Sequence, residues 1–271
     1  MVKAAFWIFR CMNITKDIET LFARLDDLIK RADRREVGVS AFLSPKELHY
    51  ARDFLQKRGS AFVEFGGYRD AERKRIYVLP DYMAEVSEVD ALADFGVDLE
   101  ICALKMKGSG FCQLSHRDFM GAVLGIGIER SVVGDIVILE ENTAVIICDD
   151  AISPFLESNL DSVGKDKVKV SKLALDENFA PQRSYAQIND TVASARLDCV
   201  VGALCSLSRE KARQTVLDGA VEVDYEVREQ PDKEVKPVCI VSVRGFGKFR
   251  INSLSDKTKK GRFRLEAEKF L

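Results

Sequence analysis

Histidine and tryptophan are nearly absent: the 271 residues hold two His and one Trp. Seven cysteines, at positions 11, 102, 112, 148, 199, 205 and 239, form no C-x-x-C pair, and their count is odd. So few histidines at such spacings do not assemble a tetrahedral zinc site, and neither a metal nor a cofactor is expected. Most of the cysteines sit in apolar runs, which points to buried, reduced thiols in a reducing compartment. Long apolar runs are missing too. The best, Met120 to Leu139, is broken by Glu129, Arg130 and Asp135, short of the roughly 18 apolar residues of a spanning helix. The opening "MVKAAFWIFRCMN" is a short apolar run between Lys3 and Arg10 without a small-residue cleavage site, so no secretory signal is expected and the cytoplasm is the expected location. Strong net charge is absent as well. A net charge of −2 and a pI of about 5.9 exclude a uniformly basic nucleic-acid binder.

What is present is a hydrophobic fraction of 46%, enough to bury real cores. The length fits one large domain or two to three small ones. The charge is uneven. From Pro181 to Leu271 there are 17 Lys and Arg against 13 Asp and Glu, a surplus of +4 that leaves −6 for the rest. An acidic front and a basic tail suggest a polyanionic partner for the tail.

Periodicity divides the chain into three regions. In the first, Ile18, Leu21, Phe22, Leu25, Leu28 and Ile29 recur at helical spacing. "SPKE" at 44–47 predicts a helix start, with Ser44 as N-cap, Pro45 in the first turn and Glu47 closing a capping box. Gly59 ends that helix. "SAFVEF" and "RIYVLP" then read as strands joined through "GGYRDAERK", with Gly66-Gly67 at the turn. The second region reads as β-α-β-β-α-β: strand "VDLEICALKM", helix 115–125, strands "DIVILE" and "TAVIICD", helix "SPFLESNLDSV", strand "KVKVSKL". That order is the split ferredoxin-like arrangement shared by RNA-recognition domains. The strands carry no aromatic where such a sheet would stack bases. Residues 174–190 read as a linker. In the third region Leu197, Val200, Val201 and Leu204 form a helical stripe, and Ser208 starts a second helix ending at Gly219. The strands "AVEV", "CIVSV", "KFRI" and "RFRLEA" follow. The expected fold is therefore α+β. An N-terminal α/β-hairpin domain occupies 1–93, a ferredoxin-like (RRM-like) βαββαβ domain 94–180, and an RNA-binding domain with basic terminal strands 181–271.

One stretch invites an enzymatic reading. "QLSHRDFMGAVLGIGIER" holds His-Arg-Asp, the opening of a kinase catalytic loop, but the magnesium-binding Asn five residues after the Asp is Val123 here. Gly121, Gly125 and Gly127 do not make G-x-G-x-x-G, so a dinucleotide cradle is excluded as well. The stretch reads as a helix capped by Ser115 and Asp118, with Gly121 and Gly125 allowing a close neighbour and Gly127 at its end. His116 and Arg117 remain as first-turn donors toward an RNA phosphate.

The tail is the most informative part. "SARLDCVVGALCSLSREKARQTVLDGAVEVDYEV" resembles the S-four RNA-binding domain through Arg196-Leu197-Asp198, Ser208-Arg209, Ala212, Gly219, Val221 and Val223. It departs from that family at Asp224-Tyr225, where an Asn-Gly turn is usual. Arg209 and Arg213 stand four apart on one helix flank, and Ala212 and Val216 face the core. From Arg244 to Arg264 there are eight basic residues and one acid, Asp256, with Phe246, Phe249 and Phe263 interleaved. Such clusters track a nucleic-acid backbone, and Gly245 and Gly247 let backbone amides approach a phosphate. Alternation along strands assigns Phe249 and Phe263 to the core. "ARLD" at 195–198 also resembles the Asp motif of pseudouridine synthases, but no catalytic sheet follows it.

Taken together, "GGYRDAERKR", "LSHRDFMGAVLGIGIERSVVGDI" and an S-four domain followed by "RGFGKF…TKKGR" resemble, in order, the bacterial YlmH family over about residues 40–271. The resemblance implies a non-catalytic, monomeric protein that binds rRNA, or peptidyl-tRNA, on the large ribosomal subunit. It implies a part in the quality control of obstructed subunits and a link to cell division. The expected RNA contacts are Arg196, Arg209, Lys211, Arg213, Arg244, Lys248, Lys257, Lys259, Lys260 and Arg262, with Ser208 fixing the helix start. His116, Arg117, Arg69 and Arg73 form a secondary set. Two other readings stay open: an RNA-modifying enzyme with an accessory S-four domain, and a cell-division adaptor docking through its acidic front.

Overall fold

The computed structural model describes residues 16–175, 179, 181, 185–257 and 261–270, without the side chains of Asp256 and Lys257. The chain divides into two compact units, Met1–Pro181 and Gln182–Leu271. Helices and sheets are mixed in both, an α+β architecture.

The first unit opens with helix α1 (Lys16–Asp33), which buries Ile18, Leu21, Leu25 and Leu28 along one stripe. Helix α2 (Pro45–Arg58) begins at the capping box that "SPKE" predicts. The Glu47 N–H donates to Ser44 Oγ at 3.3 Å, and the Ser44 N–H donates to the Glu47 carboxylate at 2.7 Å. Gly59 closes the helix in the left-handed region at φ 68°. Both helices pack on Ile76 and Val78 of a three-stranded antiparallel sheet. That sheet comprises β1 (Gly38–Val39), β2 (Phe62–Phe65) and β3 (Arg75–Val78), in the order β1-β3-β2.

A five-stranded antiparallel sheet follows in the same unit: β4 (Ile101–Gly108), β5 (Val133–Glu140), β6 (Thr143–Asp149), β7 (Ser162–Val163) and β8 (Asp166–Leu173). Its spatial order is β5-β6-β4-β8-β7. Helices α3 (His116–Gly125) and α4 (Ser153–Asn159) cover one face, where Phe119, Val123 and Leu156 meet Leu104, Met106 and Ile146. At the start of α3, Ser115 donates from its N–H and its hydroxyl to the Asp118 carboxylate, at 2.8 and 2.6 Å. Gly121 and Gly125, expected to admit a close neighbour, face open space: a Cβ at either would meet nothing within 4 Å. They lie on the solvent side of α3, opposite the buried Phe119 and Val123.

The other face of this sheet is half covered. Phe42, Tyr68 and Ala71 pack onto Ala103, Val145 and Ile147. Gly67, at φ 92°, lies so close to the strands that a Cβ would come within 2.7 Å of Ile147 Cγ2. Two arginines hold the 66–74 loop and β3 against the sheet. The Arg73 guanidinium donates to the carbonyls of Val133 (2.9 Å), Phe42 (2.7 Å) and Arg130 (3.1 Å). Asp135 accepts from the Tyr68 hydroxyl (2.7 Å) and from the N–H groups of Glu72 (2.7 Å) and Arg73 (3.1 Å). Arg75 is 3% exposed, pairs with Asp149, donates to the Glu100 carbonyl at 3.2 Å and lies over the Phe42 ring. Arg73, expected as a secondary RNA contact, is thus directed into the unit, whereas Arg69 of the same loop is exposed. Arg73 and Arg75 point inward, because carbonyls at the strand and loop ends give their N–H groups acceptors there.

The second unit is built on a six-stranded antiparallel sheet, ordered β11-β10-β12-β13-β14-β9. Its strands are β9 (Tyr185–Val192), β10 (Val221–Val223), β11 (Glu226–Val227), β12 (Cys239–Val243), β13 (Gly247–Lys257) and β14 (Phe263–Phe270). Helices α5 (Leu197–Cys205) and α6 (Arg209–Leu217) pack on one face, where Val200, Val201, Ala212 and Val216 meet Val241, Phe249 and Ile251. The linker expected over 174–190 is corrected in its second part. Residues 185–190 belong to β9, which pairs in continuous register with β14 from Tyr185↔Phe270 to Val192↔Phe263. "YAQINDTV" mixes strand formers with the strand-disfavouring Asn189 and Asp190; the main-chain ladder of its long neighbour holds it as an edge strand. Asp224 and Tyr225 take φ values of 48° and 66° and turn β10 into β11. Two positive φ values are what a two-residue type I′ hairpin needs, so the departure from Asn-Gly leaves the turn intact.

Arg73→Ala would strand three carbonyl acceptors and is expected to cost about 2–4 kcal/mol. A fall in the urea midpoint at unchanged slope would report it; a change below roughly 0.5 kcal/mol would mean that the side chain is solvent-facing after all.

Candidate nucleic-acid interface

Helix α6 is short, and its sequence settles which side faces out. Ala212 and Val216 are fully buried. That rotation leaves Arg209, Lys211 and Arg213 exposed, and none of the three makes an ion pair with a described residue. Ser208 fixes the start: its Oγ accepts from the Lys211 N–H at 3.4 Å. Helix α6 packs beside Gly202 of α5, where a Cβ would meet Ala212 Cβ at an ordinary contact distance of 3.7 Å. Arg244 is exposed beside this helix, and its N–H donates to the carbonyl of Ala220 just after α6 at 2.9 Å.

The rest of the basic tail is not on that side. Phe249 and Ile251 point into the helix-covered core, so by strand alternation Lys248 and Arg250 project from the opposite face. There the Lys248 ammonium lies 5.3 Å from the Tyr225 ring centroid and 5.1 Å from that of Phe270. Arg250 lies 5.4 Å from Phe270 and 5.7 Å from Tyr185, and pairs with Glu268 at 3.7 Å. Phe246 is exposed in the 244–247 turn, whereas Phe249 is buried and Phe263 packs half-buried against the core. Arg262 donates to the Thr191 carbonyl at 2.5 Å. The backbone of Lys257 pairs with Phe263; Lys259 and Lys260 lie outside the described residues.

Arg196 is partly committed within the unit. Its guanidinium forks onto the carboxylate of buried Asp198, with Nε–Oδ1 at 3.1 Å and Nη2–Oδ2 at 2.8 Å. Burial pushes the Asp198 carboxyl up, but the Arg196 hydrogen bonds and charge outweigh it and hold the group below the usual carboxylate range. The Asp198 N–H donates to the Pro231 carbonyl and that of Leu197 to the Lys233 carbonyl, and these backbone bonds anchor the start of α5 to the 231–235 loop. In the first unit His116, Arg117 and Arg69 are exposed, and Arg73 is the inward clamp described above.

Comparison with known proteins adds the family. Residues 16–83 match the family model "YlmH, N-terminal", and residues 92–177 match "Putative RNA-binding domain in YlmH". A protein of Bacillus subtilis (strain 168), "Ribosome-associated protein quality control protein P2", is 31% identical over 238 residues, covering 88% of this chain and 89% of that one. The chain belongs to the YlmH family. A solved structure, "Cell division protein ylmH from Streptococcus pneumoniae", is similar at 20% identity with a TM-score of 0.48, covering 60% of this chain and 94% of that one. No group of three or more His, Cys, Asp or Glu side chains among the described residues is placed to hold a metal ion. No helix among them is long and apolar enough to cross a membrane.

In this YlmH-family chain the cation–aromatic row of Tyr225, Lys248, Phe270, Arg250 and Tyr185 escaped sequence reasoning. The alternation of "KFRI" announces Lys248 and Arg250 on one face. Their aromatic partners come from β9, β14 and the β10–β11 turn, which only the strand order brings beside them.

The Arg196–Asp198 fork gives a pH signature. A carboxyl depressed in the folded state stabilises the fold above the ordinary carboxylate range, and that contribution is lost as pH falls through the folded value. Asp198→Asn is expected to lower the thermal midpoint of the second unit at neutral pH and to flatten its fall toward acid pH. Thermal scans followed from neutral to acid pH check this; an acid limb identical to that of the parent would refute the assignment.

Proposed function

We propose that the chain binds structured rRNA or tRNA on the large ribosomal subunit, without catalysis, through the exposed flank of α6 and the adjacent Arg244 turn. The role that goes with it is quality control of obstructed subunits carrying peptidyl-tRNA. The observation that carries this reading is a set of exposed cations on a helix whose other side is locked into a core. Arg209, Lys211 and Arg213 follow a start fixed by Ser208 and make no ion pair with a described residue. The printed name of the B. subtilis relative and the description of the model matching 92–177 support the same direction. With this reading goes a layout of three parts: an N-terminal α+β region, a ferredoxin-like region whose four long strands run second-third-first-fourth across the sheet, and an S-four-type second unit. Arg196 and Ser208 then act by positioning, and Arg244 adds a phosphate contact.

Full-length protein should co-sediment with large subunits in a salt-sensitive manner. If about four phosphates of structured RNA are neutralised, log affinity falls with log salt at a slope of roughly −3 to −4. Arg209→Glu with Arg213→Glu should abolish co-sedimentation while leaving the melting temperature unchanged, because both side chains are exposed and unpaired. Co-sedimentation at the parental level would remove α6 from the interface.

A further inference from the structure

The half of the five-stranded sheet that the 66–74 loop does not cover is basic. Lys105 and Lys107 on β4 and Lys167 and Lys169 on β8 are all exposed. The register pairs Lys107 with Lys169 and Lys105 with Ser171, so the four lysines project from one face, the same face as the loop-covered Ala103. They line an open groove of about 560 Å³ together with Ser109 and Ser171. None makes an ion pair with a described residue, although Lys172 on the same strand pairs with Asp150 at 3.2 Å. Asp166 precedes Lys167 on β8, but its buried carboxylate is taken by the Ser109 hydroxyl and the Gly110 N–H.

At the end of this lysine row stands an aromatic ring with no apolar cover. Phe111 is 79% exposed. Its loop is nonetheless fixed at the base. The side chain of Asp166, 1% exposed, accepts from the Ser109 hydroxyl and from the Gly110 N–H at 3.2 Å. The Ser109 N–H donates to the Lys167 carbonyl at 3.0 Å, and the Leu114 N–H donates to Asn142 Oδ1 at 3.2 Å. An exposed phenylalanine on an anchored loop loses little entropy on stacking, which suits it to a flat partner.

We infer that this face is a second RNA site, one that takes a single-stranded segment, with Lys105, Lys107, Lys167 and Lys169 along its phosphates and Phe111 stacked on a base. The inference rests on the RNA-binding reading above and deepens it by naming a site and a form of RNA for the first unit. Lysines two apart on a strand repeat at about 6.8 Å, close to the distance between successive phosphates of an extended nucleotide chain. A groove of cations with an aromatic platform is how single strands are held without sequence readout. The central part of the sheet, where an RNA-reading sheet would hold its bases, is occupied by Tyr68 and Phe42, which displaces the site to the β4–β8 edge.

The test uses the full chain and a fluorescein-labelled oligouridylate of about twelve nucleotides, followed by anisotropy across a salt series. Replacing all four lysines by Gln should weaken binding and make the salt slope shallower by about 2 to 3. Phe111→Ala should weaken binding by roughly 5- to 150-fold at an unchanged slope, the worth of one stacked base. If the four-lysine variant keeps parental affinity and slope while Arg209→Glu/Arg213→Glu loses large-subunit binding, this inference is wrong and the function proposed above stands. If the parent protein binds neither the oligonucleotide nor large subunits, both fail. If polyglutamate competes as well as the oligonucleotide and Phe111→Ala changes nothing, the face docks an acidic protein, which also overturns the site.

Discussion

A guanidinium taken out of water must find acceptors, and in the first unit that constraint organises everything around it. Arg73 and Arg75 leave the "GGYRDAERKR" stretch pointing inward. Arg73 donates to the carbonyls of Phe42, Arg130 and Val133, and Arg75 to Asp149 and the Glu100 carbonyl, although the buried Arg75 Nε finds no hydrogen-bond partner among the described residues. Burial pushes the Arg130 guanidinium down to about 10, with the charge of nearby Arg73 adding to the effect. Asp135 offsets that crowding while gathering Tyr68, Glu72 and Arg73 around one carboxylate. Removing one partner of such a set leaves a half-buried charge without compensation, which costs far more than the set adds when complete. The small sheet, its loop and the large sheet are therefore held as one compact unit.

That same clamp decides which surfaces remain for function. By seating Gly67, Tyr68 and Ala71 on Ala103, Val145 and Ile147, it closes one half of the sheet face and leaves the lysine half open. The loop is basic in sequence, yet its most basic members serve packing. Cations on β4 and β8, Lys105, Lys107, Lys167 and Lys169, are the ones presented to solvent.

Local chemistry was the part of the fold legible in the sequence. The Ser44–Glu47 and Ser115–Asp118 boxes, the Gly59 cap, the Ser208 helix start and the buried stripes of α1 and α5 depend on residues within a turn or two of each other. The β-α-β-β-α-β order follows from hydrophobic alternation. Long-range features were not legible. Strand β9 is broken by Gln187, Asn189 and Asp190, and the strand that supplies its hydrogen bonds lies about seventy to eighty-five residues away. The inward turn of Arg73 depends on carbonyls about 60 residues downstream, and a long side chain carries no mark of its direction. For the candidate site, the sequence identified the basic residues of α6 and its cap but merged two faces of the tail into one. Main-chain alternation separates Arg209, Lys211 and Arg213 from Lys248 and Arg250.

Pairing state, more than charge, then separates binding surfaces from solvated ones. On α1 and α2, Lys30, Lys57 and Arg58 lie against Asp27, Asp53 and Asp26, and Arg52 forks onto Glu64. Such surface pairs contribute little to stability, but they neutralise the field that a polyanion would feel. Among the described residues the cations of α6 and of the β4–β8 groove have no such partners. Clustered like charges repel one another in the free protein, and a phosphate chain relieves that repulsion as it releases its own counterions. A surface that keeps several cations together on rigid elements, without ion pairs to described residues, is therefore improved by a polyanion, whereas Lys30, Arg52, Lys57 and Arg58 would each have to break an ion pair to take a phosphate.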